Sequence, residues 1–334
     1  MNISNDIKNA FTGKNVLVTG GVGFIGSNCA LRLTELGANV TIVDSMVPDC
    51  GGNLFNISPI KDRVSISFTD IGDESSISRL VQGQDYIFNF AGHVSHIDSM
   101  HNPLKDLDSN AKAHITLLEV VRKSNPETKV IYLGTRQVYG KIQYLPVNEN
   151  HPVCPTDING INKLAGEWYH IMYYNVYGLR AVSLRLTNTY GPRQLIRHNK
   201  QGFVGWFVNR IITGNEITIF GDGMQERDFT YVDDVIEASL LCALNEESNG
   251  KIYNIGGTEH ISLKEFVDLL IEVNKGGRST LVPFPDEKKK IDIGSYYADY
   301  SKITQEIGWK PKTSLKEGLR NTLKYCKRNK EYYL

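Results

Sequence analysis

Residues 16–26 read VLVTGGVGFIG, an apolar run that breaks into Gly20, Gly21, Gly23 and Gly26 and resumes as an apolar-periodic stretch over 24–36. This is the pattern of a strand, a tight turn and a helix start. Gly20 permits the turn, Gly23 lets the backbone approach a pyrophosphate, and Gly26 lets the helix lie close to the strand, with Phe24 and Ile25 opening the helix whose N-terminus faces the phosphates. A second apolar run over 38–43 follows and ends in Asp44, about 20 residues on, where a carboxylate can accept both ribose hydroxyls. That carboxylate repels a 2′-phosphate and no Arg stands beside it, so the stretch points to NAD rather than NADP.

Working outward, strand-like runs at 16–19, 40–43, 64–68, 86–90, 130–133 and 181–186 alternate with helical patterns, among them 104–123 and 161–177. Strands that are apolar on both faces and alternate with helices predict an α/β fold, a Rossmann-type doubly wound parallel sheet. After Tyr190 the pattern loosens into a short strand at 217–220, the turn Gly221-Asp222-Gly223 and a stretch containing Pro283 and Pro285. The expectation is a dinucleotide-binding unit over 1–185, with returning segments near 229–255, and a smaller mixed α/β substrate unit over 186–334. Ligands of such sheets bind beyond the carboxyl ends of the strands.

Composition narrows the function classes. Lys and Arg number 37 and Asp and Glu 37, so no charge excess suggests nucleic acid or an anionic membrane as partner. The one basic cluster, Lys288 to Lys290, reads as a solvated loop. Five scattered cysteines without CxxC spacing favour neither a disulfide framework nor zinc, and His93, His96 and His101 match no usual ligand spacing, so no metal is expected. The N-terminal residues 1–14 lack the apolar segment of a secretion signal, and the expected location is cytoplasmic.

Several ordered motifs resemble those of the extended short-chain dehydrogenase/reductases that act on nucleotide sugars, the NAD-dependent epimerase/dehydratase family. They are TGGVGFIG, Asp70-Ile71 after the third strand, NFAG (89–92, containing Ala91), Asn110, Thr135 with VYG (138–140), and Lys163 with Glu167 in NKLAGE. In the second half RLTNTYGPR (185–193), GDGMQERDFTYVDDV (221–235) and YNIGG (253–257) continue the likeness. The resemblance implies bound NAD, contacted also by Asp70, Ile71, Ala91 and Lys163, and a nucleotide-diphosphate sugar as substrate. It implies a catalytic Ser/Thr, Tyr and Lys, with Tyr and Lys four apart on one helix. A Lys ammonium beside the phenol lowers its pKa and lets it take a hydroxyl proton while hydride leaves for NAD.

Thr135 and Lys163 fit this set, with Glu167 one turn beyond Lys163 as support. Four residues before Lys163, however, stands Asn159, and an amide exchanges no proton near neutral pH. Three readings stay open: another group is the acid/base, the chemistry needs none there, or the protein only binds. His96 or His93 is the first candidate for the missing base, because the loop after the fourth strand is placed by the resemblance over nicotinamide and sugar. Both can instead bond the diphosphate or the loop backbone. Lys163 is a further candidate if burial lowers its pKa.

The resemblance puts an acidic pair between Thr135 and Val138 in dehydratases. Here the positions hold Arg136 and Gln137, which disfavours a standard 4,6-dehydratase and favours epimerisation through a transient keto sugar, with simple oxidoreduction second. Arg136 suits either a bidentate pair with an anionic sugar substituent or a structural salt bridge. Asn188 and Arg227 match positions that hold the nucleoside diphosphate, with Arg193 and Gln225 as weaker additions. Tyr190, Phe203 and Trp206 read as base or sugar contacts or as core. The helices at 104–123 and 161–177, with Trp168, Ile171, Met172 and Tyr174, correspond to those that pair in a homodimer of the family.

Overall fold

The computed structural model describes residues 3–334, and their side chains except those of 3–5, 201, 287 and 288. Its strands in chain order are β1 Asn15–Thr19, β2 Asn39–Val43, β3 Ser65–Ser67, β4 Tyr86–Asn89, β5 Lys129–Thr135 and β6 Ala181–Leu186, then β7 Asn188–Tyr190, β8 Ile217–Phe220, β9 Glu226–Tyr231, β10 Ile252–Ile255, β11 His260–Ser262 and β12 Ser279–Val282. Seven of them form one parallel sheet in the order β3-β2-β1-β4-β5-β6-β10. The order reverses between β1 and β4, which opens a crevice at their carboxyl ends.

Both faces of this sheet are apolar, as buried parallel strands require. On one side Val16, Val18, Ile42, Phe88 and Val182 pack against Cys29, Ala30 and Leu33 of the Phe24–Glu35 helix and Val235 and Ala238 of the Val232–Leu244 helix. On the other, Leu17, Val43, Ile87 and Val130 meet Leu117 and Val121 of the Ala113–Ser124 helix and Tyr173 of the Ile158–Tyr177 helix. A second core gathers Ile217, Ile219, Phe229 and Tyr231 around Phe207, Phe266 and Leu319. It is served by the small sheets β11-β9-β7 and β12-β8. Tyr190 is wholly buried in this core, so of its two readings the packing one holds.

Two local expectations change. The helix expected at 104–123 runs unbroken from Pro103 to Ser124 but widens into a π-helical turn at Asp108–Lys112 between its α-helical parts Pro103–Leu107 and Ala113–Ser124. The wider turn buries Asn110, whose side chain bonds both the amide and the carbonyl of His93 at 3.1 Å. The lysine run expected in a loop is wound into the short Asp286–Ile291 helix, and the Lys288 side chain lies outside the described residues.

The Ile158–Tyr177 helix is tied to β6 by a buried ion pair. Arg185 Nη2 donates to Glu167 Oε1 at 2.6 Å, Arg185 Nε donates to Oε2 at 3.0 Å, and Ser183 Oγ donates to the same oxygen at 3.0 Å. Glu167 therefore bonds across to the sheet and not along its own helix to Lys163. Removing one member of a buried pair leaves the other charge uncompensated, at about 3–5 kcal/mol. Glu167→Ala should lower unfolding free energy in urea by that amount, and a loss under about 1 kcal/mol would contradict the role given to the pair.

Candidate active site

A single cleft runs along the carboxyl ends of the central strands and brings together most of the residues expected there. Gly20, Gly23, Phe24, Ile25, Gly26, Asp44, Asp70, Ile71 and Ala91 line one part of it, and His93, His96, Thr135, Arg136, Asn159, Lys163 and Asn188 line the other. Phe203 lines it as well, while Trp206 sits beside the second core. Arg193 and Arg227 are not among its lining residues. The Arg193 guanidinium bonds Asn28 Oδ1 at 2.9 Å and the Asn56 carbonyl at 3.2 Å, bracing the Phe24–Glu35 helix. Arg227 is buried, donates to Gln225 Oε1 at 3.1 Å and lies 3.7 Å from Asp292.

The glycine turn has the shape its sequence requires. Gly20 sits at φ +63°, and a Cβ there would stand 2.9 Å from the Phe90 carbonyl oxygen, while one on Gly26 would stand 2.1 Å from the Gly20 oxygen. No larger residue fits either place. Gly23 caps the Phe24–Glu35 helix without any side-chain hydrogen bond, leaving the first N–H groups for a ligand. Thr19, which sequence reading passed over, ties the two strands flanking the crevice. Its hydroxyl donates to Asn89 Oδ1 at 2.9 Å and accepts from the Phe90 and Ala91 amides at 3.0 and 3.1 Å. Asp44 accepts from the Val22 and Met46 amides at 3.2 and 2.9 Å; burial raises its pKa and these bonds oppose the rise.

Asn159 does not take the stance of a proton donor toward the cleft. Its Nδ2 donates to the His93 carbonyl at 2.9 Å and to Asp106 Oδ2 at 3.0 Å, and its backbone amide donates to Ser99 Oγ at 3.2 Å. Asp106 is buried and accepts also from Asn110 at 3.1 Å and Asn162 at 2.8 Å. Three amides thus stabilise one carboxylate inside the protein, and both amide donors of Asn159 are consumed in holding the 93–106 segment.

Thr135 ends β5, and its hydroxyl accepts from the Gln137 amide at 3.2 Å. Lys163 Nζ donates to the Leu133 carbonyl at 2.8 Å and stands 4.9 Å from the centre of the Tyr132 ring. Burial brings its pKa down to about 8, against the pull of Asp106 and Glu167. His93 Nε2 lies 3.6 Å from Cys50 Sγ, and burial lowers its pKa, assisted by the charge of Lys105.

His96 has a partner that sequence reading did not assign. Its Nδ1 lies 3.0 Å from Asp157 Oδ2, an ion-pair distance at an angle that makes no hydrogen bond, with the His96 side chain 38% exposed and that of Asp157 fully buried. Asp157 is the N-cap of the Ile158–Tyr177 helix, accepting from the Gly160 amide at 2.7 Å, and it also accepts from Gln137 Nε2 at 2.8 Å. Burial works against its ionisation, but His96, the Gly160 amide and Gln137 outweigh it and hold the carboxyl below its ordinary pKa. An Asp before a helix is a recognisable cap. Its approach to His96 is not legible in the chain.

Among the described residues no three His, Cys, Asp or Glu side chains converge as a metal-binding group. The arrangement offers an ionised carboxylate behind an imidazole, a hydroxyl, an ammonium of lowered pKa and a dinucleotide cradle in one cleft.

The chain is similar over nearly its whole length to known proteins. A family model described as GDP-mannose 4,6-dehydratase matches residues 17–322. A putative UDP-glucose 4-epimerase of Methanocaldococcus jannaschii is 34% identical over 314 residues, covering 94% of this chain and 99% of that protein. The Thermotoga maritima UDP-glucose 4-epimerase, solved with UDP-glucose, superposes with a TM-score of 0.86 at 32% identity, over 94% of this chain and 99% of that one. The dTDP-glucose 4,6-dehydratase of Streptomyces venezuelae, solved with NAD bound, gives 0.86 at 27% identity, over 96% and 98%. With its glycine cradle, Thr135 and Lys163 in place and nine-tenths of its length matched, the chain belongs to the GDP-mannose 4,6-dehydratase family of extended short-chain dehydrogenase/reductases, whose members include nucleotide-sugar epimerases and dehydratases.

Proposed function

We propose that this protein is an NAD-dependent epimerase of a nucleotide-activated sugar in which His96, oriented by Asp157, is the acid/base that replaces the missing tyrosine. The single observation that carries this is the contact of the His96 imidazole with a buried, ionised carboxylate in the cleft that also holds Thr135 and Lys163. The uncapped helix N-terminus and the Asp44 carboxylate fit a dinucleotide, with the Phe24–Gly26 amides toward the pyrophosphate and Asp44 toward the adenine ribose. Bound NAD supplies a hydride acceptor that returns the hydride in the second half of the reaction.

In this reading the Asp157 carboxylate, 3.0 Å from Nδ1, favours a proton on that nitrogen and leaves Nε2 as the basic nitrogen of His96. It takes the proton of the sugar hydroxyl as the carbinol hydride departs, and Thr135 bonds the same oxygen. The charge left on the imidazolium is balanced by Asp157. Lys163, with its ammonium at the back of the cleft, favours the oxygen as its negative charge develops and orients the nicotinamide ribose. Once the keto sugar has turned its other face, His96 returns the proton to the oxygen, and the hydride that bound NAD would hold in the interval would return to carbon, so electrons and protons balance. Neither Arg136 nor Gln137 can protonate a leaving hydroxyl, which supports epimerisation over dehydration.

Residues 1–185 with the returning 229–255 segment serve the cofactor in this reading, and the remainder serves the sugar nucleotide. The exposed Leu104, Leu107, Ile161 and Trp168 on two neighbouring helices support a homodimer, although Ile171, expected in that surface, is turned into the core. No helix among the described residues is long and apolar enough to cross a membrane. Together with unpaired cysteines this supports a cytoplasmic enzyme.

Asp44→Ala should weaken NAD binding roughly 10- to 100-fold and reduce discrimination against NADP; equal affinity of the wild type for both, measured by calorimetry, would sink the assignment. His96→Gln should lower kcat about 10²- to 10⁴-fold and remove the histidine limb of the pH–rate profile. Asp157→Asn keeps the helix cap and should give a smaller loss in kcat at unchanged KM. Asn159→Ala, which removes one hydrogen bond to a backbone carbonyl and one to the Asp106 carboxylate but no proton-transfer group, should cost at most about 10- to 100-fold and leave the histidine limb of the pH–rate profile in place. A His96→Gln enzyme with wild-type kcat would refute the acid/base role. Turnover appearing only in Asn159→Tyr, with a wild type inactive on a panel of nucleotide sugars, would replace the enzyme reading with that of a binding protein.

A further inference from the structure

The cleft wall beside Thr135 carries a charge that the protein leaves unmatched. Arg136 follows Thr135 directly and lines the same cleft. Its Nη2 donates to Asn188 Oδ1 at 3.0 Å, and the guanidinium carbon stands 5.3 Å from the centre of the Tyr296 ring. Nη1 is fully enclosed and has no hydrogen-bond partner among the described residues. A guanidinium offers five donors; here one is used.

The carboxylates nearest to it are committed elsewhere. Asp228 accepts from the Thr187 hydroxyl and from the Ala298 amide at 3.1 Å, and Asp292 accepts from Gln225 Nε2 at 2.7 Å. Among the described residues Arg136 forms no ion pair, so the salt-bridge reading of this residue does not hold. A second buried guanidinium, Arg227, has its pKa brought down to about 10 by burial and by the charge of Arg136. Burial lowers the pKa of Arg136 as well. Two withdrawn cations with incomplete compensation are costly for the folded chain alone and become favourable when an anion enters.

We propose that Arg136 is a specificity-determining residue that meets an anionic oxygen group of the substrate next to the reacting carbon, and that the preferred substrate is a nucleotide sugar bearing a carboxylate. This rests on the nucleotide-sugar reading above and deepens it. Arg136 follows Thr135, which in the proposed reaction bonds the reacting hydroxyl, so an anionic group on the sugar is its proposed partner; because its neighbour Asn188 stands at a position that the resemblance gives to the nucleoside diphosphate, a diphosphate contact is the alternative outcome of the test. Asn188 holds Nη2 from one side and Tyr296 supports the face of the guanidinium, so its charge is held in place for an anionic group.

The test uses the full chain with NAD present. Binding of UDP, dTDP, CDP and GDP is compared first, and the best base is then studied as its glucose and glucuronate forms. The glucuronate form should bind more tightly and give the higher kcat/KM. Arg136→Met should reduce kcat/KM for the glucuronate form roughly 10- to 100-fold, a larger loss than for the glucose form or for binding of the free nucleoside diphosphate. Arg136→Lys, which keeps the charge and loses the fork, should fall between. Equal weakening of all three ligands by Arg136→Met would assign the anion to the diphosphate and overturn the carboxylate. A wild type that prefers the neutral sugar would overturn the inference while leaving the enzyme reading intact, whereas failure of every nucleoside diphosphate to bind would overturn both.

Discussion

The Glu167–Arg185 ion pair is the contact on which the geometry of the cleft depends. It joins the Ile158–Tyr177 helix to β6 with three short bonds, and that one helix carries Asn159 and Lys163 and begins at the Asp157 cap. A charge withdrawn from water must be met by a partner or by oriented dipoles. Glu167 is met by Arg185 and Ser183, Asp106 by three amides, and Asp157 by an amide, a glutamine and an imidazole. Each solution fixes a segment of the cleft wall. Arg136 is the place where this pattern stops, and a buried charge left for an incoming group is what a recognition site requires.

The change at residue 159 shows how the same principle redistributes function. Asn159 cannot move a proton, and its side chain turns away from acid/base work to bind Asp106 and the His93 carbonyl. The 93–106 segment is thereby held against the helix, close to where the expected phenol would stand. The same segment carries His96, and the helix start carries Asp157. In the proposed reaction, the amide at 159 and the imidazole that would take over the proton are therefore linked through one loop and one helix N-terminus.

Neighbouring lysine chemistry follows from the dielectric. Lys163 sits behind the cleft surface with its ammonium on a backbone carbonyl and over an aromatic ring, so burial brings its pKa down to about 8. A residue poised in that range is charged at neutral pH yet desolvated. In the proposed reaction such a group would stabilise developing negative charge more strongly than a solvated ammonium.

Sequence alone determined the parallel α/β sheet, because strands buried on both faces must be continuously apolar, and it located the cofactor turn, because glycines at 20, 23 and 26 have few other uses before a helix. It also exposed the anomaly at 159 and placed Thr135, His96 and Lys163 in one site through the family resemblance. What it could not decide were contacts between segments distant in the chain. The turn of Glu167 toward Arg185 instead of Lys163, the π-turn that brings Asn110 to His93, and the diversion of Arg193 into bracing Asn28 and Asn56 all arise from which surfaces pack together. The pairing of His96 with Asp157 and the lack of one for Arg136 belong to the same class. Local spacing encodes periodicity and turn chemistry, whereas the partner of a buried charge is chosen only when the layers close around it.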